Sequence, residues 1–118
     1  MSDQTSMRDR YLRDPVATRL GGLAANLARI KSFSANPQHG SAVSQLIRES
    51  ALFIEWTAPE AAQSHLRDLA ELQRELVRWN LDWSRIWADG SERALVAQRS
   101  AEWSRRILEM SGLAPRAT

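Results

Sequence analysis

The sequence predicts an all-α protein, and within that class an antiparallel up-down four-helix bundle with one long, tryptophan-rich third helix. Apolar residues recur at spacings of three and four along most of the 118 residues, which is the period of an amphipathic helix. Short clusters of turn residues separate four such segments, and no window alternates at the period of two that a half-buried strand shows. The predicted helices cover residues 14–33, 42–57, 58–88 and 92–111.

The first predicted helix begins at Asp14-Pro15, because an acid at the N-cap followed by proline at the first helical position is a strong start signal. It should end near Phe33. Its apolar stripe, at spacings of 4, 3, 4 and 3, comprises Val16, Leu20, Leu23, Leu27 and Ile30. Residues 1–13 are polar and are predicted to be loose, although Tyr11 could dock onto the body. We therefore expect a flexible arm over 1–13, a single helical bundle domain over 14–113 and a disordered tail over 114–118.

Gly21 and Gly22 interrupt the first helix, where each costs about 1 kcal/mol relative to alanine. Neighbouring alanines extend this surface of small side chains, so the pair predicts a close crossing with another helix. A kink or a backbone-lined ligand site is the alternative. A phosphate-binding loop is not indicated, since the pair lies within a helical pattern rather than between a strand and a helix.

The second predicted helix ends in a turn that is apolar nearly all round, and this end should lie deep in the core or under an interface. Its inward residues are Val43, Leu46, Ile47, Ser50, Phe53 and Ile54. Thr57 to Glu60 fits a capping box that would start the third helix. That helix could run unbroken to residue 88, about 42 Å at 1.5 Å per residue, or break near Ser64-His65. The fourth helix follows the turn Asp89-Gly90-Ser91, and Gly112 should stop it.

Four of the five tryptophans lie in the last forty residues. Trp79, Trp83 and Trp87 stand at i, i+4 and i+8 on the predicted third helix, which places them on one face. Val77, Leu81 and Trp87 lie off the main apolar stripe, so the carboxyl half of this helix carries more apolar surface than one neighbour can cover. Either the helix is flanked by two partners in the same chain, or a second copy covers one side. The sequence slightly favours the homodimer.

We therefore predict a non-enzymatic protein that acts through protein–protein contact, as a homodimer or an accessory subunit. Tryptophan and arginine, the favoured anchors of interfaces, would form the contact surface. The predicted interface residues are Val77, Arg78, Trp79, Leu81, Trp83, Arg85, Trp87, Trp103 and Arg105. Two other roles stay open for the indoles. They could fill one end of the bundle, with Trp83 against Trp103, or line a pocket for a small aromatic ligand or pigment between helices, opposite Gly21 and Gly22.

The sequence indicates no metal, cofactor or catalytic site. It has no cysteine, which excludes a thiolate ligand or nucleophile, and it lacks the Glu-x-x-His pairs of di-metal bundles. Glu55, which follows Phe53 and Ile54, and His65 are the candidates for an acid–base group. An enzyme using one of them is the third hypothesis, and an ordinary ion pair is the alternative role for Glu55.

Charge and hydropathy set the expected partners. The net charge is only +2, without the concentrated positive field typical of nucleic-acid binders. The basic clusters are small: Arg8, Arg10 and Arg13, diluted by acids, and the pair Arg105-Arg106. No apolar run approaches the about 20 residues of a membrane span, and the amino terminus lacks the apolar segment of a secretory leader. We expect a protein partner, no nucleic acid, no membrane and a cytoplasmic location.

Overall fold

The computed structural model describes residues 3–113, and these residues form six α-helices joined by short turns. No strand occurs among them, so the all-helical class is confirmed. A bundle of four helices with one long third helix is not what they form. The helices are α1 (Asp3–Leu12), α2 (Val16–Phe33), α3 (Gly40–Thr57), α4 (Leu66–Leu81), α5 (Trp83–Ala88) and α6 (Gly90–Ser111). Turns of 3₁₀ helix cover Pro37–His39, Ala58–Glu60 and Gln63–His65.

Helix α2 is the centre of the core. Leu20, Leu23, Leu27 and Ile30 of its predicted stripe are buried, whereas Val16, the first residue of that stripe, is only partly buried. It makes its most extensive contacts with α6 and its next most extensive with α3. The helix ends at Phe33 as predicted, but it begins at Val16, because Pro15 has extended backbone angles (φ −59°, ψ 156°) and lies outside the helix as its N-cap.

Helices α2 and α6 approach closely at Ala24, whose carbonyl oxygen accepts a 2.8 Å hydrogen bond from the Ser104 hydroxyl. Gly21 and Gly22, the residues predicted at this crossing, instead contact the side chains of Leu113 and Tyr11. A Cβ at Gly21 would lie 3.0 Å from a methyl of Leu113, and one at Gly22 would lie 3.9 Å from the ring of Tyr11. The two glycines therefore accommodate two side chains rather than the backbone of a second helix.

The amino-terminal segment is helical rather than a loose arm. Tyr11 at the end of α1 is buried and stacks on Phe53 of α3, with ring centroids 4.1 Å apart. Its hydroxyl donates to the carbonyl oxygen of Arg19 over 2.8 Å and accepts from Thr57 over 3.1 Å. Helix α1 thus joins the hydrophobic core through Tyr11, with Met7 and Leu12 packed against that core. The predicted tail over 114–118 lies outside the described residues.

Arg19, which is buried beside Tyr11, adds further contacts between α2 and its neighbours. Its guanidinium is buried, donates to the carbonyl oxygen of Asp14 over 2.8 Å and pairs with Glu60 over 2.6 Å. A buried arginine needs such partners, since an unpaired buried charge is strongly unfavourable. The Tyr11 and Arg19 side chains together join α1, α2 and the turn that follows α3.

Helix α3 begins two residues before its predicted start and ends at Thr57 as predicted. Helix α6 also ends where predicted, before Gly112, whose φ of 75° lies in the left-handed region. The continuous third helix over residues 58–88 is wrong, and the alternative, a break near Ser64-His65, is confirmed. Two 3₁₀ turns replace its first eight residues, from Ala58 to His65. The expected capping box does not form, because the Thr57 hydroxyl donates to Tyr11 instead of capping the following turn.

A second interruption falls at Asp82, between α4 and α5. Helical hydrogen bonds persist on both sides of it, from the Asp82 N–H to the Arg78 carbonyl and from the Ile86 N–H to the Asp82 carbonyl. Only the backbone of Asp82 itself leaves the helical region, with φ −105° and ψ 20°. The interruption is therefore a local bend that changes the direction of the last six helical residues.

Contacts of Trp87 with the start of α3 hold α5 in its bent position. The indole N–H donates to the carbonyl oxygen of Pro37 over 2.7 Å. The ring packs on Gly40 so closely that a Cβ there would lie 2.6 Å from the indole nitrogen. Arg93 of α6 donates to the Trp87 carbonyl oxygen over 2.6 Å. Two of these partners, Pro37 and Gly40, lie about fifty residues before Trp87 in the chain, so no local pattern could have indicated the bend.

No helix among residues 3–113 has both the length and the apolar composition needed to cross a bilayer.

We expect stability to fall at high pH because of Tyr11. Burial raises the pKa of its phenol to about 12, against a partial lowering by the hydrogen bond from Thr57. The folded-state pKa thus exceeds that of the unfolded chain, about 10. The free energy of unfolding should be unaffected by this group below pH 10 and should drop by about 2 kcal/mol as the pH rises to 12.

Urea denaturation from pH 8 to 12 tests this expectation. The chain has a single tyrosine, so the absorbance of tyrosinate reports on Tyr11 alone. A Tyr11→Phe variant should have a free energy of unfolding about 1 kcal/mol lower at pH 8, because its hydrogen bonds are missing. Above pH 10, its free energy of unfolding should decline less steeply than that of the wild type. An identical decline in both proteins would contradict the assignment.

Gly40→Ala should destabilise the protein, because the new methyl group would overlap the Trp87 indole. Overpacking of this kind costs about 1–3 kcal/mol. Gly90→Ala is the matched control, since Gly90 also begins an α-helix and a Cβ there would meet only a flexible arginine tip at 3.4 Å. The free energy of unfolding of the control should be unchanged or should rise by up to about 1 kcal/mol. Thermal unfolding of the two variants measures the difference, and equal melting temperatures would show that Trp87 does not pack on Gly40 as described.

Candidate interaction surface

The outer side of α4 exposes two large apolar side chains one helical turn apart. Val77 is 43% exposed and Leu81 is 79% exposed. The opposite side of the same helix is buried and contains Leu69, Leu72, Leu76 and Trp79. Helix α4 therefore has one apolar stripe in the core and a second that no part of the described chain covers.

A cleft of about 380 Å³ lies between α3 and α4, next to this exposed stripe. Its apolar lining is Ile47, Ala51, Leu52, Leu76 and Val77, and its polar lining is Arg48, Glu55, Gln73 and Asn80. A neighbouring depression of about 420 Å³ shares Gln73 and Val77 and adds Arg74, Arg78, Leu81 and Asp82. We call these two adjoining depressions the α3–α4 face.

Several polar groups of the α3–α4 face have no partner within the described chain. Among residues 4–113, the charged groups of Arg48, Glu55 and Arg74 make no ion pair or side-chain hydrogen bond. The side-chain oxygen of Gln73 is buried without any hydrogen-bond partner. Such a group costs free energy until it is satisfied. The face thus combines exposed apolar side chains with charges of both signs that are free to pair.

Trp79 and Trp103, predicted as interface anchors, lie in the core instead. They are 5% and 2% exposed. The Trp103 indole N–H donates to a carboxylate oxygen of Glu75 over 2.9 Å, and Arg99 binds both oxygens of that carboxylate over 2.9 and 3.0 Å. These contacts join α4 to α6 inside the molecule, so both tryptophans are withdrawn from the predicted surface.

The charge of Glu75 is stabilised within this cluster. Burial by itself would raise the pKa of the carboxyl group, but hydrogen bonds from Arg99 and Trp103 and the charges of Arg99 and Arg78 together hold that pKa below its usual value. The guanidinium of Arg106 lies 4.6 Å from the centroid of the Trp103 ring, in cation–π geometry. The cluster therefore acts as a structural link between helices.

The other predicted interface residues are divided between different parts of the surface. Trp83 and Trp87 of α5 are partly buried and stack with centroids 5.0 Å apart, so Trp83 meets Trp87 rather than Trp103. Arg85 is engaged by Asp82 over 3.0 Å and by Glu92 over 3.8 Å. Arg105 is exposed on α6 and lines neither depression of the α3–α4 face. Val77, Arg78 and Leu81 are thus the predicted residues that the structure brings together on that face.

Several residues of the face, Arg48, Leu52 and Arg74 among them, were not singled out in the sequence. Arg48 and Leu52 lie one turn apart on α3, and Arg74 lies one turn before Arg78 on α4. Their spacing is a weak signal, because charged residues at four-residue intervals are normal on any solvated helix face. Only the position of α3 beside α4 joins them into one surface.

The two groups considered for catalysis lie on different elements. Glu55 is on the exposed side of α3 despite its apolar neighbours, and His65 lies in a 3₁₀ turn. In the part of the chain that the structure describes, no three histidine or acidic side chains come together in a way that could hold a metal ion.

The pocket predicted between the indoles and the glycine pair does not form there. Gly21 and Gly22 lie beside an open groove of about 600 Å³ whose lining includes Tyr11 and Phe53 but no tryptophan. The two partly exposed indoles, Trp83 and Trp87, both lie on α5.

No protein-family model, curated protein sequence or solved structure matches this chain.

Proposed function

We propose that this chain is a non-enzymatic helical protein that acts through protein–protein contact, and that its α3–α4 face pairs with a second copy of the chain. The observation that carries the proposal is the exposed pair Val77 and Leu81 beside an apolar cleft. The exposed surface is therefore smaller than the tryptophan and arginine surface predicted from the sequence. Of the predicted arginines, only Arg78 lies on the α3–α4 face.

Removal of the exposed side chains from water would drive the association. Full burial of a leucine side chain is worth about 1.5–3 kcal/mol. A two-fold interface presents the same residues from both copies, so Leu81 and Val77 would each contribute twice. The cleft between α3 and α4 offers the concave surface into which these side chains could pack.

The mixed charge of the face favours a second copy as the partner. Arg48 and Arg74 are unpaired cations, Arg78 adds a third positive charge, and Glu55 is an unpaired anion on the same face. Because a two-fold axis sets each patch against itself, a patch with both signs can be complementary to its own copy. A nucleic acid or an anionic lipid surface would instead favour a patch of uniform positive charge.

Leu81→Glu should convert the dimer to a monomer, because it places two buried charges at the centre of the interface. Leu95→Glu is the control, since Leu95 is an exposed leucine of α6 that lies outside the face. Sedimentation equilibrium should give twice the 13.3 kDa chain mass for the wild type and for the control. A wild-type protein that stays monomeric up to about 1 mM, the weak end of specific binding, would overturn the proposal.

Glu55→Arg should weaken the dimer about tenfold at low salt, because it leaves the unpaired charges of the face all positive and sets like charges against each other. Salt near 1 M shortens the screening length to about 3 Å, so this defect should largely disappear there, whereas the defect of Leu81→Glu should persist. Glu109→Arg makes the same charge change on the exposed side of α6 and serves as the control. Equal effects of the two arginine substitutions would show that overall charge, rather than the face, controls association.

A further inference from the structure

We propose a second binding site on this protein: the groove between the start of α3 and α5 binds a small planar aromatic molecule that carries a carboxylate or phosphate group. The groove is an open depression of about 530 Å³, within the range of small-molecule sites. Its lining is Gly40, Ser41, Ser44, Arg48, Trp83, Ser84, Trp87 and Ala88. It adjoins the α3–α4 face at Arg48 but contains none of that face's apolar residues.

The aromatic part of the ligand would be recognised by Trp83 and Trp87. Their rings stack with centroids 5.0 Å apart and an interplanar angle of 30°. Trp87 is fixed by its bond to Pro37 and by its contact with Gly40. Trp83 is partly exposed, and its indole N–H has no hydrogen-bond partner among residues 4–113. A rigid aromatic surface of this kind can stack another ring at little entropic cost.

The anionic part would be recognised by Arg48 and the neighbouring hydroxyl groups. Arg48 makes no ion pair within residues 4–113, and no acidic side chain lines the groove to compete for it. Ser41, Ser44 and Ser84 add three hydroxyl groups. The amino end of α3 lies at the same place without a side-chain cap, and its N–H groups add a partial positive charge. An arginine that makes no ion pair within residues 4–113, next to an aromatic wall, suits a ligand with one ring system and one negative group.

Titration with 2-naphthoate, followed through the indole N–H signals in a ¹H–¹⁵N spectrum, tests the proposal. The five tryptophans give separate reporters. Trp83 and Trp87 should shift in a saturable way at concentrations of about 1 mM or below, and the core residues Trp56, Trp79 and Trp103 should not shift. The uncharged 2-naphthamide should bind about tenfold more weakly, the value of a charge-assisted hydrogen bond that is partly exposed to water.

Substitutions identify the groups responsible. Arg48→Gln should weaken naphthoate binding about tenfold and leave naphthamide binding unchanged. Arg74→Gln removes an unpaired arginine outside the groove and should leave both affinities as in the wild type. Trp83→Leu should abolish saturable binding of both probes, with the Trp87 signal and the circular dichroism spectrum showing that the fold is retained.

Three results would overturn the proposal: no saturable shift with naphthoate, equal shifts at all five indoles, or equal effects of Arg48→Gln and Arg74→Gln. Repeating the titration with Leu81→Glu separates the two proposals of function. Binding should be retained in that variant, because Leu81 does not line the groove.

Discussion

The burial of the apolar stripe of α2 is the constraint on which the rest of the structure depends. Leu20, Leu23, Leu27 and Ile30 are all removed from water, and they require neighbours on more than one side of the helix. Helices α3 and α6 supply those neighbours. Helix α4 packs on α3 and is linked to α6 through Glu75 and Trp103, so it lies at the edge of the assembly. Its outer stripe is left without a partner for this reason.

Two polar contacts between distant parts of the chain hold the ends of this assembly in place. Near the amino terminus, the buried Tyr11 and Arg19 tie α1 to the end of α3. Near the bend at Asp82, the indole N–H of Trp87 reaches Pro37 and its ring covers Gly40. Both contacts remove apolar surface from water and satisfy a polar atom of the same side chain, fully for Tyr11 and Arg19 and partly for Trp87.

The bend at Asp82 also separates the two surfaces for which we propose functions. A straight helix would have placed Trp83 and Trp87 in line with Trp79, as part of a single apolar ridge. In the structure, α5 lies beside the start of α3, and those two indoles border a groove with Arg48 and three serines. Val77 and Leu81 are left on α4 as a mainly aliphatic surface with charges around it. One side of the molecule thus presents an apolar cleft suited to another protein and, beside it, an aromatic groove suited to a small anion.

The sequence by itself determined the helical class, the ends of α2 and α3 at Phe33 and Thr57, the stop at Gly112 and the inward stripe of α2. These features depend on side-chain periodicity and on backbone preferences of residues within a few positions of one another, which a single sequence displays directly. The exposure of Val77 and Leu81 was likewise implicit in their position off the main stripe. Only the tertiary structure decided that residues 3–12 are helical, that the third helix breaks at Asp82, that Trp79 and Trp103 lie in the core, and that Arg48 and Glu55 border α4. Each of these outcomes depends on contacts between residues far apart in the chain, such as the 2.7 Å bond from Trp87 to Pro37, and the pairing of distant helices leaves no trace in local spacing.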